Sequence, residues 1–265
     1  MKISNLAQLK PKDLIVFDLD GTLTPSKSWM RRSVALLLAR LLAQKKVAVI
    51  GGGKYEQFQE QFLAHLACPK PLLKNLFLFP TTSTSMYRYA NGWKKVYAHE
   101  LAAREKRKIF RAFAQAFHDV GYAHPKITYG KVIEDRGTQI TFSALGQDIV
   151  SRLGDRGIRI KEEWGRSGWR EKIALSLSRR LPEFEVRRGG LTSIDVTHKG
   201  IDKAYGIREI EKQLRIPIKS MLFVGDAIYP GGNDYAAVKT GTDYVQVSGP
   251  QETARLMRRL LSAGQ

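Results

Sequence analysis

Three short runs of consecutive apolar residues, at positions 14–17, 47–50 and 76–79, divide the first part of the chain. Their shortness and their Val, Ile and Phe content are typical of strands buried on both faces of a parallel sheet. The stretch from residue 29 to residue 44 has helical spacing, and a second helix is predicted to begin after the glycines at 51–53. This alternation of strand and helix predicts a doubly wound α/β core.

The pattern changes after Pro80, where antiparallel strands mixed with helices predict an α+β domain. Its predicted elements are a hairpin at 86–89 and 94–97, a basic helix at 99–120, strands at 131–134 and 138–143, and a helix at 168–181. The α/β alternation returns near the C-terminus, with predicted strands at 221–224 and 244–247 between two helices. We therefore predict a core made of residues 1–80 and 191–265, with residues 81–190 as an inserted domain.

The charge of the chain is high for its length. Its 265 residues include 44 Lys and Arg against 25 Asp and Glu, so the formal net charge is +19. Such a balance attracts phosphorylated substrates, polyanions or anionic surfaces and does not bear on the fold. Residues 81–190 hold 22 basic and 12 acidic side chains, which gives the inserted domain the largest excess, +10. Residues 191–265 are nearly balanced, at +2, so this distribution favours a basic lid over a small acidic site rather than a nucleic-acid-binding protein.

Cysteine content and hydropathy bear on the cellular compartment. Cys68 is the only cysteine, so the chain forms no internal disulfide, as is usual in a reducing cytosol. The N-terminal residues lack the uninterrupted apolar stretch of a signal peptide, and three basic residues interrupt the most apolar segment, 34–50. We therefore expect a soluble cytoplasmic protein that does not associate with a membrane.

The segment Asp18-Leu19-Asp20-Gly21-Thr22-Leu23-Thr24 directly follows the first predicted strand. Ligands of open α/β sheets bind beyond the carboxyl ends of the strands, where Asp18 and Asp20 would lie. One carboxylate of such a pair can attack an electrophile while the other transfers protons, and the pair also suits Mg²⁺. A polar turn is the simpler alternative. A calcium loop does not fit, because its twelfth position needs a glutamate and holds Trp29.

A second acidic loop follows the strand predicted at 221–224. Asp226 comes directly after Gly225, and Asp234 ends the segment Gly231-Gly232-Asn233-Asp234. Because parallel strands end at the same edge of a sheet, we expect the two acidic loops to meet there and form a site for a metal ion and a phosphate. Each acidic residue taken alone is equally compatible with a helix cap or a turn.

These motifs resemble those of the haloacid dehalogenase (HAD) superfamily. The segment beginning at Asp18 is similar to its first motif, Lys203 after Gly200-Ile201-Asp202 to its third, and the loop from Gly225 to Asp234 to its fourth. The closer match is to the eukaryotic-type phosphomannomutase branch, which has a Gly-Gly pair like Gly51-Gly52 and a cap segment similar to residues 189–196. The resemblance covers most of the chain and implies a Rossmann-like HAD core with an inserted α+β cap.

The resemblance implies a catalytic role for each matching core residue. Asp18 would attack phosphorus and form an aspartyl-phosphate, Asp20 would serve as acid and base, and Lys203 would neutralise the phosphate and the nucleophile. The resemblance further implies Mg²⁺ as the cofactor. Its ligands would be Asp18, Asp20 through its backbone carbonyl, Asp226 and Asp234.

The second motif of the superfamily implies a phosphate-binding loop at Gly52, Gly53 and Lys54, but the sequence departs from the pattern there. The superfamily places a Ser or Thr hydroxyl on the phosphate, and the matching residue in this chain is Gly53. Backbone N–H groups at a helix N-terminus can still bind a phosphate, and Lys54 adds positive charge. We therefore expect phosphate binding to be retained, with slower turnover or a non-catalytic relative as alternatives.

The cap residues that match the mutase branch are Arg136, Ser193 and Asp195, which the resemblance implies bind the distal part of the substrate. A further arginine of that branch is replaced by Gln147. Because a mutase must hold a bisphosphate in two orientations, this replacement weakens the case for a mutase more than the case for a phosphatase.

The function predicted from the sequence is therefore an Mg²⁺-dependent phosphohydrolase that acts on a sugar phosphate or a similar small phosphoester. A phosphomannomutase-like mutase is the first alternative. A non-catalytic protein that binds nucleic acid or another polyanion is the second, based on the net charge and on the basic run at residues 104–111, for which a solvated helix surface is the simpler explanation. A homodimer formed through the cap is a further expectation.

Overall fold

Apolar strands form two separate sheets in the computed structural model, which describes residues 12–25 and 28–262. The strands are β1 (Leu14–Asp18), β2 (Lys46–Ile50), β3 (Leu76–Phe79), β4 (Ser85–Tyr89), β5 (Trp93–Ala98), β6 (Ile133–Asp135), β7 (Ile140–Ser143), β8 (Phe184–Gly189), β9 (Ser193–His198), β10 (Met221–Gly225) and β11 (Asp243–Gln246).

In the described part of the chain, ten helical elements connect these strands, and one of them is left-handed. They are α1 (Arg32–Leu42), α2 (Tyr55–Gln61), the left-handed turn α3 (Pro80–Ser83), α4 (Ala103–Val120), α5 (Ile149–Leu153), α6 (Asp155–Gly165), α7 (Trp169–Arg180), α8 (Lys203–Leu214), α9 (Tyr235–Val238) and α10 (Pro250–Ser262). Short 3₁₀ turns lie at Leu63–His65, Lys70–Asn75 and Ile218–Ser220. Among the described residues, no helix is long and apolar enough to cross a membrane.

The larger sheet has seven strands in the order β11-β10-β1-β2-β3-β4-β5, of which the first five are parallel. The strands β1, β3 and β10 are buried along their whole length, as their continuous apolar runs predict. On one face, side chains such as Phe17 and Val49 pack against α1 and α10. On the other face, Val16 and Ile50 pack against α8. The doubly wound α/β core predicted from the sequence is confirmed.

The smaller sheet has four antiparallel strands in the order β6-β7-β9-β8 and lies in an inserted unit, residues 99–201. One face of the sheet is apolar. Phe142 and Ile194 on that face pack against Phe113 of α4 and Ile173 of α7. The unit is therefore an α+β sandwich of one sheet and a helical layer, as predicted, while α5, α6, β8 and β9 were not predicted.

The division between the two units lies at residues other than those expected. The core unit includes the described residues up to Ala98 and from Asp202 onward. The expected boundary at 80/81 cuts off the β4–β5 hairpin, yet β4 pairs with β3 because only a short turn separates them. The expected boundary at 190/191 assigns β9 to the core, although β9 pairs with β7 and β8. Strand pairing therefore moves the two boundaries to 98/99 and 201/202.

Candidate active site

The carboxyl ends of the parallel strands bring the first acidic motif to one edge of the core sheet. Asp18 is the last residue of β1, and its side chain is almost completely buried. The turn that follows is closed by the carbonyl of Leu19, which accepts hydrogen bonds from the N–H groups of Leu23 and Thr24, both at 3.0 Å. Gly21 within this turn has a φ of +84°, which a residue with a side chain rarely adopts. The turn thus holds Asp18 at the end of β1 and Asp20 just beyond it.

Lys203 approaches Asp18 from the first turn of α8. The helix begins there because Asp202 caps it, its side chain accepting a hydrogen bond from the N–H of Tyr205 at 2.7 Å. The apolar side chains of Ala204 and Ile207 face the core, and Lys203 is buried with them. Its ammonium group donates a hydrogen bond to Asp18 Oδ1 and lies 3.1 Å from Asp234 Oδ1. The lysine therefore bridges the two acidic loops.

Asp226 and Asp234 complete a cluster of carboxylates around Asp18. Oxygen atoms of these three residues all lie within 4.8 Å of one another. The N–H of Ala227 donates to Asp234 Oδ2 at 3.1 Å, which fixes the second acidic loop. The predicted convergence of the two loops is therefore present in the structure. Asp20 is expected to bind the metal through its backbone carbonyl, so it is not one of these three carboxylates.

The contacts around this cluster leave no space for larger residues. A Cβ atom added to Gly21 would lie 2.5 Å from Asp226 Oδ2, and one added to Gly225 would lie 2.4 Å from Asp234 Oδ2. Both distances are shorter than real contacts of a Cβ atom. The backbones of the first and fourth motifs thus lie directly against the two carboxylates, and glycine is required at both positions.

The pKa values reflect a crowded, buried set of charges. Burial raises the pKa of Asp18 well above its ordinary value, and the charges of Asp234 and Asp226 raise it further against the opposing effect of Lys203. Burial together with the charge of Asp234 raises the pKa of Asp226 to about 6, and Asp20 adds a smaller contribution. Burial alone lowers the pKa of Lys203, but its two carboxylate partners outweigh that effect and raise it. Lys203 therefore remains protonated.

The predicted phosphate-binding loop lies at the end of the neighbouring strand β2. Gly52, Gly53 and Lys54 are half-buried and precede α2. The N–H of Lys54, one of the donors expected for the phosphate, donates instead to the side-chain oxygen of Gln57 at 3.0 Å. A phosphate could accept this N–H only after Gln57 moves, so the loop offers fewer donors than the sequence analysis expected.

The three predicted substrate-binding residues of the inserted unit lie on or beside the polar face of its sheet. Asp195 accepts a hydrogen bond from the hydroxyl of Thr141 at 2.7 Å, and the hydroxyls of Ser193 and Ser143 are 2.9 Å apart. Arg136 Nε donates to Glu134 Oε2 at 2.9 Å, with both side chains nearly excluded from solvent.

Strand register extends this polar face across three strands. Glu134 of β6 is opposite Thr141 of β7, and Thr141 is opposite Asp195 of β9. The sequence analysis did not single out Glu134 or Thr141. The alternation of polar and apolar residues along β7 could have indicated Thr141, because Thr141 and Ser143 alternate with Ile140 and Phe142, which face the apolar core. Their cross-strand partners could not be read from local sequence.

The basic run on α4 is partly neutralised within the inserted unit. Lys106 Nζ lies 3.0 Å from Asp135 Oδ2, and Lys108 pairs with Glu183. Ile109, between them and Arg111, is buried in the apolar core. The basic side chains of the run are exposed, apart from the half-buried Lys106, and carboxylates of the same unit offset two of them.

A Rossmann-like sheet with a buried aspartate, a buried lysine and a second acidic loop at its carboxyl edge is the arrangement of a HAD-superfamily protein. Solved structures agree with this class, and at this identity they bear on the fold alone. A C-terminal truncated IMP-nucleotidase from Plasmodium falciparum has a TM-score of 0.70 and 16% identity, covering 95% of this chain and 72% of that chain. A haloacid dehalogenase-like hydrolase from Bacteroides thetaiotaomicron has a TM-score of 0.60 and 17% identity, covering 95% of this chain and 100% of the other.

Sequence comparison identifies the family within this class. The family model for eukaryotic phosphomannomutase matches residues 34–263. A phosphomannomutase of Saccharomyces cerevisiae is 25% identical over 257 residues, which cover 96% of this chain and 96% of the relative. The chain belongs to the eukaryotic phosphomannomutase family.

Proposed function

We propose that this protein is a phosphomannomutase-type phosphotransferase that moves the phosphoryl group of a sugar phosphate through an aspartyl-phosphate at Asp18. The observation that carries the proposal is the buried contact of Asp18 with Lys203 beside two further carboxylates. The match to phosphomannomutases over nearly the whole chain supports a sugar phosphate as the substrate.

The chemistry assigns a separate task to each core residue. A carboxylate oxygen of Asp18 bonds to phosphorus while the bond from phosphorus to the sugar oxygen breaks, and Asp20 gives a proton to that oxygen. Asp20 then takes a proton from a second sugar hydroxyl, which attacks the phosphoryl group and releases Asp18. Lys203 remains charged throughout and offsets the negative charge of the nucleophile and the phosphate.

The carboxylate cluster fits Mg²⁺. The cluster has three acidic side chains, and the ammonium group of Lys203 contacts two of them, so it carries an excess of negative charge when all three are ionised. Hard cations prefer such oxygen ligands. Asp18, Asp226 and Asp234 would hold the ion, and the ion would supply the charge compensation that allows an anionic nucleophile to approach a phosphate.

Hydrolysis is the second candidate, favoured by two residues. Gly53 provides no hydroxyl where the family pattern has one, and Gln147, which is largely buried, provides a neutral amide where that pattern has an arginine. A mutase must bind two phosphates in turn, so the lost charge affects a mutase more than a phosphatase. The inserted unit, with Arg136, Ser193 and Asp195, would bind the remainder of the substrate in either case.

The two activities are separated by following phosphorus NMR signals. Mannose 1-phosphate or glucose 1-phosphate is incubated with the protein, Mg²⁺ and a hexose bisphosphate activator, with Asp18→Asn as the blank. A mutase converts the 1-phosphate to the 6-phosphate, whereas a phosphatase releases only inorganic phosphate. If neither product forms over a panel of phosphosugars, or if Asp18→Asn gives the same products, the proposed function is wrong.

A further inference from the structure

The left-handed turn α3 is the most unusual backbone feature of the core unit. Thr81, Thr82 and Ser83 have φ values of 48°, 55° and 69°. A non-glycine residue rarely adopts such a φ, and for a β-branched residue it is a genuine outlier. Strained backbone of this kind persists only where surrounding contacts determine it, and it concentrates at active sites and ligand-binding loops. The turn therefore calls for a functional explanation.

Hydrogen bonds tie the turn to the predicted phosphate-binding loop. The N–H of Thr81 donates to the carbonyl of Gly53, and the N–H of Thr82 donates to the carbonyl of Gly51, both at 2.9 Å. The hydroxyl of Tyr97 donates to the carbonyl of Ser83 at 2.9 Å, which holds the other end of the turn. The three left-handed residues thus lie alongside the loop that follows β2, at the carboxyl edge of the sheet.

The same turn packs against the helix that carries Lys203. A Cβ atom added to Gly206 would lie 2.5 Å from Ser83 Oγ, so glycine is needed there for α8 to approach the turn. Gly206 is three residues after Lys203, which places both on the same side of the helix. The turn therefore lies between the phosphate-binding loop and the helix of the buried lysine.

Thr82 differs from its neighbours in exposure. Thr81 is 2% exposed, and Ser83 and Thr84 are fully buried, whereas Thr82 is only half-buried. Apart from the Lys54 ammonium group, the adjoining loop has fewer donors than the family pattern, since Gly53 has no hydroxyl and the N–H of Lys54 is bonded to Gln57. A phosphate at this edge would need a further hydrogen-bond donor on the β2–β3 side.

We propose that the hydroxyl of Thr82 donates a hydrogen bond to the phosphoryl group of the substrate and so supplies the contact that Gly53 cannot make. The inference rests on the proposed function, because it assigns the phosphate to this edge of the sheet. This contact would account for the left-handed turn, which would hold a threonine hydroxyl beside the loop that follows β2.

The test measures binding of inorganic phosphate to the Mg²⁺-loaded full chain by calorimetry, independently of the sugar. Thr82→Val removes the hydroxyl and keeps the branched shape, and Thr82→Ser keeps the hydroxyl. Loss of one hydrogen bond to a charged ligand predicts roughly tenfold weaker phosphate binding by Thr82→Val. Thr82→Ser should bind within about twofold of the wild type on the same reasoning. Because glycine accepts the left-handed backbone, Thr82→Gly provides a folded variant without a hydroxyl.

A second variant tests whether a hydroxyl at position 53 can replace the hydroxyl of Thr82. Gly53→Ser places a hydroxyl on the loop, and its Cβ would lie 2.6 Å from Gln57 Oε1 and 3.3 Å from Gln57 Cβ, so the Gln57 side chain must shift to admit it. In the Thr82→Val background it should recover most of the lost phosphate affinity. The inference is overturned if Thr82→Val and Thr82→Gly bind phosphate as the wild type does, or if Thr82→Ser loses as much affinity as Thr82→Val. Failure of the wild type itself to bind phosphate would overturn the proposed function as well.

Discussion

Lys203 Nζ lies 3.1 Å from Asp234 Oδ1, and these two side chains are 4% and 0% exposed. The same ammonium group also bonds to Asp18, so one buried cation serves two buried anions on different loops. Water cannot replace either partner at such burial. Removing one member of a buried ion pair is therefore far more costly than removing a surface charge, because the remaining charges stay buried without compensation.

Lys203→Met should accordingly lower the free energy of unfolding by about 3–5 kcal/mol at neutral pH and abolish phosphoryl transfer. Urea denaturation followed by fluorescence measures the first effect, and product formation measures the second. The matched control is Lys212→Met on the same helix, since Lys212 has a 72% exposed side chain and should change neither quantity. An unfolding free energy within about 1 kcal/mol of the wild type would contradict a pairing role for Lys203.

Gly21→Ala should weaken Mg²⁺ binding, because the new methyl group would displace Asp226 from its position. Left-handed backbone costs a residue with a side chain about 1–2 kcal/mol, so stability should fall as well. Gly241→Ala is a close control: its φ is +83° and nothing lies within 4 Å of an added Cβ. Both variants should lose similar backbone stability, and only Gly21→Ala should lose Mg²⁺ affinity in calorimetric titrations. Equal Mg²⁺ affinity in the two variants would argue against Asp226 as a ligand.

The carboxyl edge of the core was predictable because strand ends are local features of a sequence. The apolar runs at 14–17 and 221–224 end at Asp18 and at Gly225-Asp226, and parallel strands place their ends together. Lys203 required more than local pattern. A lysine at the start of an amphipathic helix is ordinary by itself, and its role followed from the order of motifs in the HAD superfamily.

The remaining features depend on contacts between distant residues. The alternation in β4 and β5 predicts a hairpin equally well in either domain, and only pairing of β4 with β3 assigns it to the core sheet. The left-handed turn was not predictable either. Threonine disfavours this backbone, and the hydrogen bonds to Gly51 and Gly53 that impose it join residues about thirty positions apart.

Thr82→Gly should increase stability, since glycine adopts a φ of 55° without steric cost. Thr82→Ala retains the left-handed penalty of about 1–2 kcal/mol and is the appropriate comparison. Elsewhere glycine is usually about 0.5–1 kcal/mol less favourable than alanine, so the expected order at this position is the reverse. Thermal or urea unfolding of the two variants decides the question. If Thr82→Ala is the more stable of the two, the turn is not strained at this residue.

Glu134→Gln should destabilise the inserted unit. Glu134 Oε2 accepts a hydrogen bond from Arg136 Nε at 2.9 Å, and the side chains of the pair are 8% and 5% exposed. Neutralising the carboxylate removes one partner of a buried ion pair, which costs about 3–5 kcal/mol. Urea unfolding followed through Trp164 and Trp169, which pack in the apolar core of this unit, measures the loss.

Two comparisons separate this effect from a general sensitivity of the unit to lost charges. Glu183→Gln removes the acid of the exposed pair with Lys108 and should leave stability unchanged. The double variant Glu134→Leu with Arg136→Met replaces both charges by apolar groups and should be more stable than Glu134→Gln, because both members of the buried pair are removed together. If the double variant is instead the least stable of the set, the ion pair makes a net contribution to the stability of the unit. The main role of Arg136 would then be structural rather than substrate binding.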